Sequence, residues 1–162
     1  MKPVGEVLSY ALLPNHFHLT VLMNPASQIP NNMLRKPHTL GNTFGHLQNA
    51  YSLYFNNKYK AVSGLFEKHF ERKLIDSLEY FQQLVVYHHR NPESHGIIND
   101  FKQYFWTSYQ ELSNPLVTPY VNVPMALEKF GGINLFSRRT TNKLPSQCKT
   151  STSSITSTST NR

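Results

Sequence analysis

The chain has 162 residues, enough for one domain with a hydrophobic core, and its formal net charge of +7 favours a polyanionic partner. Aromatic residues make up 12% of the chain, and their faces can stack on unpaired bases. Cys148 is the only cysteine, which excludes a disulfide framework or a cysteine-rich zinc site and indicates a reducing, cytoplasmic setting. No apolar run is long enough for a membrane span, so no membrane partner is expected.

The first predicted unit is a β-hairpin. An apolar run from Val7 to Leu13 is followed by the turn residues Pro14-Asn15 and by a second apolar run that ends near Met23. His16 and His18 open the second strand and leave the same face of it, with about 7 Å between their Cα atoms. Two imidazoles in this arrangement can share one metal ion, although histidines two apart also occur on solvated strand faces that bind nothing.

A loop and a helix are predicted next. Residues 24–37 lack periodicity and are rich in Pro and Asn, which indicates a loop. From about Thr39 to Asn57, apolar residues recur at spacings of three and four, which predicts an amphipathic helix packed on a sheet. We expect its aromatic stripe to be core rather than a base-stacking platform, because large aromatic side chains are usually buried. The stripe consists of Leu40, Phe44, Leu47, Tyr51, Tyr54 and Phe55.

The segment Gly64–Ile75 alternates in character. If it is extended, Phe66, Lys68, Phe70 and Arg72 share one face, and interleaved basic and aromatic groups suit a single-stranded nucleic-acid backbone. An edge strand kept soluble by its charges would give the same pattern. The candidate DNA-binding residues are Lys68, Arg72 and Lys73.

A second helix is predicted from Asp76, whose acid is followed three residues later by Glu79 in a capping-box pattern. The helix should stop near Pro92, because proline disrupts a helix and restricts the residue before it. A core-facing stripe is predicted at Leu78, Phe81, Leu84 and Val85. Tyr87 and Asn91 lie four apart on a different side, so a phenol and an amide oxygen can reach the same small volume.

Several stretches together resemble one enzyme family. Residues 13–19 read Leu-Pro-Asn-His-Phe-His-Leu and resemble the Met-Pro-Asn-His-Val-His-Leu motif of the HUH-type tyrosine transposases, the group that includes the IS200-like and REP-associated enzymes. Residues 84–92, Leu-Val-Val-Tyr-His-His-Arg-Asn-Pro, resemble the family's Leu-x-x-Tyr-Ile-His-x-Asn-Pro helix end. Residues 101–109 and 127–132 are similar to its Tyr-x-Trp-Ser-Ser-Tyr segment and its late Phe-Gly-Gly turn. The likeness spans about Leu8 to Phe136 in the family's order.

The resemblance implies an α+β fold, a ferredoxin-like antiparallel sheet with helices packed on it, over residues 1–136. Family members carry a further strand and helix before the hairpin, whereas only about six residues precede Val7 here. We therefore expect a chain without the first β-α unit, either truncated at its N-terminus or completed by a segment of another chain. Residues 137–162 are rich in Ser and Thr, which predicts a disordered tail.

The resemblance also implies a site. Tyr87 would be the nucleophile, forming a 5′-phosphotyrosine link, and His16, His18 and Asn91 would hold a divalent metal. Two imidazoles and one amide oxygen suit Mg²⁺ or Mn²⁺ better than a closed structural zinc site, while zinc stays open. His88 is a further candidate for proton transfer, and His89 is expected to be a packed histidine.

The implied function is a metal-dependent transposase that cuts and rejoins single-stranded DNA carrying hairpins. One alternative is an inactive or domesticated relative that binds structured single-stranded DNA without cleavage. Another is a zinc-binding interaction protein, suggested only by the eight histidines. The sequence leaves open whether the active form is a monomer or a homodimer.

Overall fold

The computed structural model describes residues 4–25, 28–29, 39–62, 64–66, 71–114 and 120–142. These residues form a two-stranded antiparallel sheet with helices against it, which confirms the predicted α+β class and is consistent with part of a ferredoxin-like fold. The strands are β1 (Gly5–Leu12) and β2 (Phe17–Met23). The α-helices are α1 (Thr39–Tyr59), α2 (Leu78–Ser94), α3 (Tyr109–Ser113), α4 (Val123–Phe130) and α5 (Ile133–Thr141), with a short 3-10 helix at Phe101–Gln103.

The predicted hairpin is confirmed. The backbone N–H of Leu13 donates to the carbonyl of His16 at 2.8 Å and closes the turn around Pro14 and Asn15. The register places Ala11 opposite His18. The turn therefore fixes which side of the sheet receives the histidines.

Strand β1 is hydrogen-bonded on both of its edges. One edge pairs with β2. On the other edge, the N–H of Leu12 donates to the carbonyl of Trp106 at 2.8 Å, and the N–H of Ser108 donates to the carbonyl of Tyr10 at 3.1 Å. In the part of the chain that the structure describes, β2 pairs with β1 alone. The histidine strand is thus the outer strand of this sheet.

Helix α2 packs across the hairpin and buries Phe81, Val85 and Val86 against Leu8. The same core continues into the helices that follow, through Leu112, Val121, Ala126, Phe130 and Phe136. Two of the four residues of the predicted stripe, Phe81 and Val85, are therefore in the core. Leu78 is 60% exposed and Leu84 is partly buried, and both line a groove beside β2 instead of the core.

The predicted ends of α2 need small corrections. Ser77, rather than Asp76, is the N-cap, because its hydroxyl accepts a hydrogen bond from the N–H of Tyr80 at 3.2 Å. The helix continues through Pro92 to Ser94. Proline lacks only its own N–H, so in the last turn it removes a single helical hydrogen bond.

The prediction that the α1 stripe belongs to the core is wrong for every member whose side chain the structure describes; the Leu40 side chain lies outside them. Tyr51 is 52% exposed, Tyr54 is 58% exposed, and no α1 side chain that the structure describes is buried. The physical reason is area: a two-stranded sheet offers little apolar surface, and α2 occupies it. The amphipathic spacing predicted the helix correctly, but it did not show whether the apolar face of the helix packs against the rest of the protein.

Two further predictions are corrected in part. The alternation over Gly64–Ile75 allows a strand, but the described residues of this segment, 64–66 and 71–75, form neither helix nor strand. Residues 67–70, with Lys68, lie outside the described residues. The predicted tail begins too early, because α5 runs to Thr141 and buries Thr140 completely. Residues 143–162 and most of the predicted loop over 24–37 also lie outside the description.

Among the residues described, no helix is both long enough and apolar enough to cross a membrane.

A buried carboxylate joins three parts of the fold. Glu111, on α3, accepts hydrogen bonds from the Tyr10 hydroxyl at 2.6 Å and from the N–H groups of Tyr120 and Val121 at 2.6 and 3.0 Å. Burial, reinforced by the hydrogen bond to Glu111, raises the pKa of Tyr10, so the phenol stays a donor. The carboxylate thereby ties β1 to the approach to α4.

We predict that Glu111→Ala lowers the free energy of unfolding by roughly 3 kcal/mol, because it leaves a partly buried hydroxyl and two backbone donors, one of them buried, without an acceptor. Chemical denaturation measures the change. Glu128→Ala, at an exposed position on α4, is the matched control and should stay within about 0.5 kcal/mol of wild type. Equal effects of the two substitutions would contradict this role for Glu111.

Candidate active site between the histidine strand and helix α2

His18 of β2 and Asn91 of α2 meet at the centre of the site. His18 is 3% exposed and Asn91 is 1% exposed, and the Asn91 amide donates to His18 Nε2 at 2.9 Å. This hydrogen bond leaves the ring proton of His18 on Nδ1. The pair connects a strand and a helix that are distant in the sequence.

His16 stands beside His18, as the strand alternation predicts. Their ring centroids are 5.0 Å apart in an edge-to-face arrangement. His16 Nδ1 lies 2.7 Å from the Asn15 amide oxygen, which accepts a hydrogen bond from Nδ1–H and so leaves Nε2 unprotonated. The turn residue that shapes the hairpin therefore also sets the tautomer of His16.

Tyr87 lies one helical turn before Asn91 and contacts the same histidine. The centroids of the Tyr87 and His18 rings are 5.4 Å apart, and Tyr87 is only partly buried. The structure thus brings together the four side chains that the sequence singled out for catalysis and metal binding: His16, His18, Tyr87 and Asn91.

Burial keeps the histidines of the site neutral at pH 7. Desolvation, with smaller repulsion from His16 and His95, lowers the pKa of His18 to about 4. Desolvation, followed by the charge of His95, also lowers the pKa of His16. Neutral imidazole is the form that binds metal, so these rings are ready ligands without prior proton loss.

The donor set fits a divalent ion. Asn91 Oδ1 is buried and has no hydrogen-bond partner, which is costly for an amide oxygen. The amide nitrogen lies 2.9 Å from His18 Nε2. If the Asn91 amide rotates by half a turn, its oxygen takes the place of the nitrogen, about 2.9 Å from His18 Nε2. Neighbouring ligand atoms of an octahedral Mg²⁺ are separated by a similar distance, roughly 3 Å.

Within the described part of the chain, no three His, Cys, Asp or Glu side chains converge on one metal position. The predicted metal site contains only two such residues, His16 and His18, because its third donor is the amide oxygen of Asn91. A metal bound by them would keep open positions for phosphate oxygens and water.

The structure adds two histidines to the surroundings of the site. His88 stacks on His18, with centroids 5.3 Å apart and planes 21° from parallel, and its Nδ1 lies 3.0 Å from the Ser9 hydroxyl. His95 lies one turn after Asn91, with its ring centroid 5.5 Å from that of His16. The four-residue spacing from Tyr87 to Asn91 could have indicated His95, whereas nothing local indicated the contact between His88 and Ser9.

The prediction that His89 is a packed histidine is confirmed. It is fully buried, and its Nε2 lies 2.8 Å from the Ser108 hydroxyl. His88 is also buried and already hydrogen-bonded, so its position fits a support for His18 better than the proton transfer considered from the sequence.

Two of the three predicted DNA-binding residues lie beside this site. Arg72 and Lys73 are exposed on the wall of a 700 Å³ groove between β2, residues 71–78 and α2, which His18 and His88 also line. The other charged groups of the groove are Lys129, Glu71 and Asp76. Lys73 lies over the Tyr80 ring, with its Nζ 4.9 Å from the centroid.

Comparisons of the chain with protein-family models, with curated proteins and with solved structures found no match. The residues of this site and the motif resemblance are therefore the basis for assigning a function.

The buried histidines predict acid sensitivity. Burial lowers the pKa of His89 to about 3 and that of His88 well below its ordinary value. An unfolded histidine titrates near pH 6.5, so below that pH the unfolded chain binds protons that the folded chain excludes. Stability should be complete above about pH 6.5 and fall as the pH decreases towards 5, by up to ~1.4 kcal/mol per pH unit for each such histidine.

Urea denaturation between pH 5 and 7 measures this slope. His89→Gln should flatten it, because a glutamine does not titrate. His46→Gln, which changes an exposed histidine of α1, should leave it unchanged. A slope that is identical in all three proteins would contradict the prediction.

Metal binding is a separate prediction. His18→Ala and Asn91→Ala should each weaken Mn²⁺ binding at least about tenfold, because each removes a donor from a set of three. Isothermal titration calorimetry of the purified chain measures the affinity without any DNA. His46→Ala is the matched control, and an unchanged affinity in both site variants would refute the assignment.

Proposed function

We propose that this protein cuts and rejoins single-stranded DNA as a metal-dependent tyrosine transposase or strand transferase. The contact of the Tyr87 ring with His18, which is itself bonded to Asn91, carries the proposal. A nucleophile beside two neutral imidazoles and an amide is the arrangement expected for phosphodiester transfer. The motif resemblance supports the same reaction and supplies the substrate class, single-stranded DNA with hairpins.

The surroundings of the site suit a nucleic-acid strand. Arg72 and Lys73 line a groove that reaches His18, and their exposed charges would attract phosphates towards the buried histidines. Tyr87 is accessible because it is only partly buried, unlike His18 and Asn91. The site thus combines buried polar side chains, His18 and Asn91, with a tyrosine hydroxyl group that DNA can approach.

The reaction would proceed by displacement at phosphorus. The Tyr87 phenol gives up its proton, and its oxygen forms a bond to the phosphorus atom. The bond from phosphorus to the 3′ oxygen of the preceding nucleotide breaks, and that oxygen takes up a proton. The products are a 5′-phosphotyrosine link and a free 3′-hydroxyl, so the phosphodiester bond is exchanged for another ester.

Because the exchange conserves one ester bond, the reverse reaction can join the DNA. A 3′-hydroxyl attacks the phosphotyrosine, a new phosphodiester forms, and the phenol regains its proton. A divalent ion held by His16, His18 and Asn91 would supply charge neutralisation at the non-bridging phosphate oxygens. The protein itself orients those ligands through Asn15, His88 and the backbone of the hairpin.

The proposal is tested by trapping the covalent product. Labelled single-stranded DNA with a hairpin is incubated with the full chain and Mg²⁺ or Mn²⁺, and denaturing gels detect an adduct. Tyr87→Phe should abolish the adduct, because the phenyl ring keeps the packing and loses the nucleophilic oxygen. Tyr80→Phe, two turns earlier on the same helix, is the matched control and should leave adduct formation intact.

The adduct assay distinguishes the nucleophile and the two candidate functions. An adduct that survives Tyr87→Phe and disappears in Tyr80→Phe would reassign the nucleophile. Binding of the hairpin DNA with no adduct under any metal condition would favour the alternative, a relative that recognises structured single strands without cutting them. Loss of the adduct in His18→Ala, with retained DNA binding, would support the metal-dependent reaction.

A further inference from the structure

Helix α1 presents a solvent-exposed aromatic face. We define the α1 aromatic face as Tyr51, Tyr54, Phe55 and Tyr59; Tyr54 and Phe55 lie three and four residues after Tyr51, and Tyr59 lies four residues after Phe55. The three tyrosines are between 52% and 59% exposed. Large aromatic rings gathered on one exposed surface commonly mark a binding site.

A series of ring contacts connects this face to the histidine strand. The Phe17 ring lies 6.4 Å from Phe66, and Phe66 lies 6.3 Å from Tyr51. Along the helix, Tyr51 lies 6.4 Å from Phe55, and Phe55 lies 4.6 Å from Tyr59. Phe17 lies between His16 and His18 in the sequence, and the alternation of the strand turns its side chain to the opposite face. The series of ring contacts therefore begins on the strand that carries the histidines and extends away from it along α1.

The charge of this surface has one sign. Residues 39–62 contain Lys58 and Lys60 and no Asp or Glu. Lys58 Nζ lies 5.6 Å from the centroid of the Tyr54 ring and 5.4 Å from that of Tyr59, so an exposed cation stands between two exposed rings. Such a surface complements a polyanion.

Lys60 gives a second indication. It follows the helix at φ 55°, in the left-handed region, and the N–H of Ala61 donates to the carbonyl of Asn56 at 3.1 Å, as in a Schellman motif. Glycine usually occupies this position because a side chain there is strained. A lysine in this place keeps a positive charge at the end of the aromatic face.

The residue composition of the α1 aromatic face indicates which kind of molecule binds to it. Tyrosine and phenylalanine are common in protein interfaces, but lysine is depleted at their buried centre. Lys58 lies over two of the rings, which argues against a second copy or another protein covering this face. Aromatic rings interleaved with basic groups are instead the combination that binds unpaired nucleotides. Tyrosine hydroxyls and ammonium groups can stay hydrated while a base stacks on the ring face.

We propose that the α1 aromatic face binds unpaired nucleotides of a single-stranded DNA segment that flanks the cleavage site, by stacking bases on Tyr54 and Tyr59 beside Lys58. The identity of the strand as DNA rests on the proposed function. The binding itself requires neither the metal nor Tyr87.

The test measures binding apart from cleavage. Fluorescence anisotropy with a labelled oligothymidine, in EDTA and at fixed salt, gives the dissociation constant of the full chain. Tyr54→Leu and Tyr59→Leu should each weaken binding about fivefold or more, from the usual contribution of one base stacked on an aromatic ring. Tyr54→Phe should bind like wild type, because it keeps the ring.

Tyr120→Leu, which changes a tyrosine that is 86% exposed on another part of the surface, is the matched control and should have no effect. Circular dichroism and thermal unfolding verify that the variants fold; if Tyr59→Leu is unstable, Tyr54→Leu alone decides. Duplex DNA of the same length should bind more weakly and respond less to these substitutions.

Two results would overturn the inference. One is unchanged oligonucleotide affinity in both leucine variants, whether or not their oligomeric state changes on sedimentation. The other is equal weakening by Tyr54→Phe and Tyr54→Leu. The adduct assay separates this inference from the proposed function. An intact Tyr87 adduct with no effect of the α1 variants on binding rejects only the aromatic face. Ring-dependent binding with no adduct rejects only the transposase reaction.

Discussion

The hydrogen bond between His18 and Asn91 is the contact on which the site depends. It spans 2.9 Å between two side chains that are almost entirely buried, and the stacked His88, bonded to Ser9 at 3.0 Å, reinforces it. Polar groups placed between a sheet and a helix are tolerated only when they find partners. These two bonds therefore specify how α2 is rotated on the hairpin. Because Tyr87 and Asn91 are one turn apart, that rotation also sets where the phenol lies.

The buried hydrogen bonds of His18 and His88 have a chemical consequence as well as a structural one. Burial holds His16 and His18 in the neutral form, and Asn15 assigns the proton of His16 to Nδ1. Asn91 retains a buried oxygen without a partner. An unsatisfied acceptor beside two unprotonated ring nitrogens is unfavourable in an empty fold and favourable around a cation. The unpartnered oxygen and the unprotonated ring nitrogens lower the stability of the fold by themselves, and they are the groups that would hold the metal in a metal-dependent phosphoryl transfer.

The exposed face of α1 complements this buried site. The core formed by β1, α2 and the later helices is complete in its own contacts, and α1 contributes no buried side chain among those described. Phe17 and Phe66 carry a line of ring contacts from the histidine strand to the helix. In the proposed function, the buried site would carry out the chemistry on one phosphate, and the aromatic, basic face of α1 would hold the surrounding strand.

The sequence by itself determined the hairpin, the existence of α1 and α2, and the pairing of candidate residues by spacing, because periodicity and turn chemistry act between neighbours along the chain. Alternation put His16 and His18 on one face, and the helical turn put Tyr87 beside Asn91. Only the tertiary structure decided that the α1 stripe is exposed, that His88 and His95 join the surroundings of the site, and that Thr140 is buried. Those outcomes depend on which surfaces meet across long separations, and the spacing of apolar residues carries no information about the partner that covers them.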